Sequence, residues 1–136
     1  MSPKKKNYAV IKLEPDKKPV LIKLDKKELS LDFSYEHCGC DVITIANTYD
    51  YNSIFKTDYS LICDDNGLMV EHPIINPLAS CMYSFPQTIA GTCLVVRQSR
   101  SNEEPDIYAL DIDECNQLFS VLTATFEFLK MEGVIK

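Results

Sequence analysis

Six cysteines and two histidines are the residues of this chain whose types most readily bind a metal or act as nucleophiles. Cys38-Gly39-Cys40, with His37 beside it, is the closest cluster. Its single intervening residue falls short of the roughly two to four that separate cysteines in zinc knuckles. No second close pair follows, so a zinc site would need Cys81 or His72 brought alongside by the fold. The same spacing strains a local disulfide and lacks the geometry of a redox CxxC pair. Cys63, Cys93 and Cys115 sit in apolar periodic segments and read as small buried hydrophobes. Neither a metal nor a cofactor is therefore expected.

The acidic run Asp64-Asp65-Asn66-Gly67 resembles a calcium loop only in composition. The ordered series of oxygen donors ending in a glutamate is absent. Asn-Gly is instead a strong hairpin signal, because both residues tolerate the left-handed backbone of a tight turn. His72, between Glu71 and Pro73, has no evident catalytic companion in sequence, and Ser80-Cys81 has no nucleophile elbow around it. Gly39, Gly67, Gly91 and Gly133 are too scattered to form a phosphate-binding loop. No catalytic residue is assigned, and an enzyme of unknown class would require Glu71, His72 or a cysteine to converge with distant polar groups.

Aromatic residues make a better case for function. Tyr49, Tyr51, Phe55, Tyr83 and Phe85, with Met82, lie in segments that read as loops, where core packing alone would not call for them. Such side chains anchor protein interfaces or stack on planar ligands; the plainer reading is that they cover the ends of a small sheet. A second arrangement would be a pocket for a nucleotide-like small molecule near Asn47, His72, Asn76 and Thr92. For Asn76 the first expectation is structural, tying down the proline-flanked crossing.

Composition bounds these options. The 136 residues, 46% of them apolar, suit one domain with one core, residues 1–6 forming a flexible basic terminus. Residues 1–27 hold nine lysines against Glu14, Asp16 and Asp25, a balance of +6; the remainder holds five basic and seventeen acidic residues, or −12, and the two sum to −6. That acidic majority argues against binding duplex nucleic acid. No apolar run approaches the roughly 20 residues of a membrane span, and no secretory leader pattern follows Lys4-Lys5-Lys6, so the cytoplasm is the expected location. Oligomeric state is left open.

The elements that must position these residues follow from periodicity. Residues 7–13 and 19–24, separated by the polar spacer EPDKK, predict a β-hairpin. Leu29, Phe33 and His37 at four-residue spacing predict a short helix within 26–37, with an alternating strand as the competing reading. Strands are expected at 41–48, 58–63, 68–71 and 88–97, the last with a bulge or close contact at Gly91. The segment HPIINPLAS suits a structured crossing or a single helical turn. Residues 98–106 read as a polar loop. From Asp111, a variant capping pattern with Glu114 opens a helix over about 112–131, whose apolar face is Ile112, Cys115, Leu118, Leu122, Phe126 and Leu129. The expected class is α+β: a small mixed or antiparallel sheet built from hairpins, with one short helix and a long C-terminal helix packed on it.

The strand-turn-strand at 61–70, the NPLA that follows it, and the strand opening Ile89-Ala90-Gly91-Thr92 together resemble the domain-of-unknown-function family 3846 of phages, mobile elements and their mostly Firmicute hosts. Cys63, Asn66, Gly67, Pro73, Asn76, Leu78, Ile89, Gly91 and Thr92 carry the likeness, which spans about 8–115. The corner Cys38-Gly39-Cys40 departs from the more usual Val-Gly-Gly. The resemblance implies a small α/β fold and a phage or mobile-element setting, and it supplies no active site. Small acidic phage proteins often act by occupying a host or defence protein, which makes a non-enzymatic binding protein the leading expectation.

Overall fold

The computed structural model describes residues 7–39, 43–48, 59–64, 73–82, 89–99 and 106–134. Its elements are β1 (Tyr8–Leu13), β2 (Val20–Leu24), α1 (Leu31–Cys38), β3 (Ile43–Asn47), β4 (Tyr59–Asp64), α2 (Pro77–Met82), β5 (Cys93–Ser99), β6 (Asp106–Tyr108), β7 (Leu110–Asp111) and α3 (Ile112–Met131). The architecture is α+β. The strands form one sheet in the order β2-β1-β5-β4-β3, with β6 paired to β5 and β7 to β1, and every described ladder is antiparallel.

The order follows from which strands are apolar on both faces. Cys93, Leu94, Val95 and Val96 of β5 are wholly buried, as are Leu61 and Ile62 of β4 and Ala9, Val10 and Ile11 of β1. A continuous apolar run of this kind needs cover on both sides. One face, carrying Ala9, Ile11, Leu61, Cys63, Cys93 and Val95, packs against α2 and the apolar stripe of α3. Val10, Ile62, Leu94 and Val96 pack on the other with Cys38 and the partly buried Phe33 of α1. Each large aliphatic side chain so buried contributes roughly 1.5–3 kcal/mol. β2, none of whose residues is fully buried, is left at an edge.

Local signals set the helix ends. Ser30 caps α1 by accepting from the Phe33 N–H at 3.1 Å, and Gly39 closes it in the left-handed region at φ 65°. The helix thus starts later than the 26–37 window suggests. The preceding residues are drawn instead into the sheet, where Glu28 bridges Tyr108 and the Ala109 N–H donates to Lys27 O. Asp111 caps α3 by accepting from the Asp113 N–H at 3.0 Å. At its far end Gly133 N–H donates to Lys130 O and Val134 N–H to Leu129 O, the paired bonds of a Schellman motif.

Two expectations shift. The strand read as 88–97 starts in register only at Cys93 and runs on to Ser99. β6 then pairs its last three residues, so 98–106 is not wholly loop. The hairpin tip at 65–67 and the strand at 68–71 lie outside the described residues.

Candidate functional site

Asn76 organises the most elaborate polar joint in the described chain. Its side chain is 1% exposed. The Nδ2 group donates to Leu13 O at 2.8 Å and to Gly91 O at 2.9 Å, and Oδ1 accepts from the Ala79 N–H at 3.1 Å. Asn76 is therefore the N-cap of α2, with Pro77 in the first helical position, where the missing N–H of proline costs nothing. Its backbone N–H donates to Ile89 O at 2.7 Å, and the Gly91 N–H returns to Ile74 O at 2.8 Å. Ser80 completes the lattice: its hydroxyl donates to Asn76 O at 2.8 Å and accepts from the Ile89 N–H at 2.9 Å. Gly91 sits at φ 84°, a conformation that L side chains resist, so glycine lets the chain turn from this joint into β5.

The joint holds an apolar surface in place. Ile74 and Ile75, immediately before Asn76, are 62% and 38% exposed. Beside them Ile75, Pro77, Ser80 and Cys81 face Leu129, Val134 and Asp16 across a groove of about 500 Å³. The groove is built where α2 meets the C-terminal turn of α3. Cys81 is exposed as a residue, yet burial pushes its thiol pKa up, which lowers its nucleophilicity at neutral pH.

Cys38, Cys63, Cys93 and Cys115 are buried. Cys38 and Cys63 direct their thiols at Ile62 O and Thr44 O, at 3.7 and 3.9 Å. Cys115 is wholly buried, and burial, aided by the neighbouring Glu114 charge, pushes its pKa up to about 12. Among the described residues, no three of His, Cys, Asp and Glu come together as metal ligands. Arg97 of β5 donates to Glu114 in the first turn of α3, pinning the helix start to the central strand.

The expected site residues are only partly brought together. Asn76 and the strand entry at Gly91 meet directly, but both amide hydrogens of Asn76 are already used within the chain. Asn47 lies in the edge strand β3 opposite Ser60, which pairs with Val96, towards the other end of β5. Thr92 is half-buried. Met82, expected at an interface, is 1% exposed and belongs to the core, because α2 turns its Leu78, Ala79 and Met82 face onto the sheet. Tyr49, Tyr51, Phe55, His72, Tyr83 and Phe85 lie outside the described residues. Thr48 Oγ1 donates to Tyr59 O at 2.6 Å where Tyr59 pairs Arg97, whereas Ile89 is held at the joint preceding Cys93. From sequence, Ser80 enters only with Cys81 as a rejected nucleophile, and Ile74 and Ile75 only as part of the segment 72–78 that could join the functional surface. The proline and asparagine around them signalled a fixed crossing, and two adjacent isoleucines there were the available cue.

Among the described residues, no helix is long and apolar enough to cross a membrane. Comparison with curated proteins and with solved structures finds no match. The family described as "Domain of unknown function (DUF3846)" matches residues 6–120, a span that holds the β-hairpin, the Asn76 joint, β5 and the start of α3. The chain belongs to the DUF3846 family.

Proposed function

We propose that the protein is a non-enzymatic accessory protein of a phage or mobile element that acts by binding a host or defence protein. The observation that carries this reading is the pair Ile74 and Ile75, exposed on a segment locked from both sides by Asn76 and Gly91. Apolar side chains held rigid in water need no ordering before they are buried by a partner, which lowers the entropic cost of association. Tyr49, Tyr51, Phe55, Tyr83 and Phe85 are of the residue types that such interfaces favour. Tagged protein recovered from host lysate, with bound proteins named by mass spectrometry and re-tested as purified components, is the experiment. The reading expects one partner that is lost on the double substitution Ile74→Ser, Ile75→Ser or on Tyr51→Ala, Tyr83→Ala. A partner indifferent to both would sink it.

A second reading is a pocket that holds or sequesters a small nucleotide-like molecule; the groove beside Cys81, next to Asn76 in sequence though lined by none of Asn47, His72, Asn76 and Thr92, supplies a cavity of suitable size. Native mass spectrometry of the protein from its host would show a retained mass. A bare chain that also takes up no added nucleotide would remove this reading.

A further inference from the structure

The solvent face of α3 carries an apolar stripe of its own. At 3.6 residues per turn, Val121, Ala124, Phe128 and Met131 fall within roughly 80° of one another. They lie opposite the buried face formed by Cys115, Leu118, Leu122 and Phe126. Phe128 is 59% and Met131 84% exposed, and Val121 and Ala124 are exposed as well. The spacing is that of a heptad seam, with Val121 and Phe128 at a and Ala124 and Met131 at d. Glu127 then occupies g and Glu132 e, one on each side of the stripe.

Charge identifies the occupant. From its cap to its end, α3 holds Asp111, Asp113, Glu114, Glu127 and Glu132 against one base, Lys130. Glu114 is engaged by Arg97. Glu127 meets Lys18 at 3.7 Å, a pair so exposed that a closer charge can replace it at little cost. A second copy of this chain fits poorly in parallel, since g meets e and Glu127 would face the second copy's Glu132. We infer that this face of α3 docks an amphipathic helix of a protein partner, with apolar residues at a and d and lysine or arginine on its flanks. The inference deepens the binding reading above, giving it a second surface and the chemistry of what covers it.

The test uses the full chain and two labelled synthetic helical peptides, both with leucine at a and d. One carries lysine at e and g, the other glutamate. Fluorescence anisotropy should show binding of the lysine peptide, with the glutamate peptide at least about tenfold weaker. The substitution Phe128→Ser, Met131→Ser should weaken binding at least about tenfold, while Val20→Ser on β2 leaves it unchanged. The charge reversal Glu127→Lys, Glu132→Lys should invert the peptide preference, which keeps the proposal testable if the apolar variant fails to fold. Equal binding of the two peptides, or of neither, would overturn it. So would a preference untouched by charge reversal, or a homodimer in sedimentation that the stripe variant abolishes. A lysate partner lost on Ile74→Ser, Ile75→Ser but indifferent to the stripe would leave the binding reading standing and remove this inference alone.

Discussion

The side-chain amide of Asn76 reaches Leu13 O at 2.8 Å across 63 positions of sequence, so one residue ties the crossing before α2 to the end of the first strand. The same amide holds Gly91. Removing it takes a donor from two carbonyls and the acceptor from one helix N–H, and leaves Gly91 O only the long contact from the Cys93 thiol at 3.8 Å. Asn76→Ala should therefore cost about 3 kcal/mol or more, since each orphaned buried group costs roughly 1–3 kcal/mol. Asn76→Asp should be no better, because a carboxylate cannot donate to either carbonyl. Urea unfolding followed by circular dichroism measures both.

Gly91 makes a milder prediction at the same joint. An added Cβ there would meet nothing within 4 Å, so Gly91→Ala suffers only the strain of φ 84°. A loss of about 1–2 kcal/mol is expected. A loss as large as that of Asn76→Ala would mean that an added Cβ at Gly91 meets a neighbour.

Arg97 and Glu114 link the central strand to the start of α3. Both side chains keep partial access to water, which screens the pair. A double-mutant cycle with Arg97→Gln and Glu114→Gln should give a coupling of about 1 kcal/mol. Coupling near zero would show that α3 is placed by its apolar face alone.

Cys115 ties stability to alkaline pH. Burial, with the Glu114 charge beside it, pushes its folded thiol up to about 12, above the ordinary 9.0 of a free thiol. The folded state therefore holds a proton that the unfolded state releases between these values. This contribution is complete below about pH 9 and is lost as pH rises towards 12. Melting temperature should fall over this window, and less steeply in Cys115→Ala than in the unsubstituted protein. Parallel slopes would assign the alkaline loss to other groups.

Much of this fold was legible because its signals are local. Asp111 followed by an apolar period of three or four identified α3 to the residue, and alternating Val, Ile and Leu around EPDKK identified the first hairpin. Non-local effects were not legible. β6 and β7 are too short for a period and pair the ends of β5 and β1 that the ladder between those two strands leaves uncovered. Glu114 looked like half of a capping box, but Arg97 of a distant strand claims it. Asn76 stood out between two isoleucines and a proline, and its structural role was the first expectation. Its partners Leu13 and Gly91 depend on register and could not be read in advance. Met82 looked like a loop residue, and only the placement of α2 against the sheet shows it to be core.

Hydrogen exchange on the protein with and without its purified lysate partner tests the central claim most directly. The account predicts slower exchange on binding across 73–82 and 89–91, where the Asn76 joint presents Ile74 and Ile75. Unchanged exchange in both segments, with a partner still bound, would contradict it.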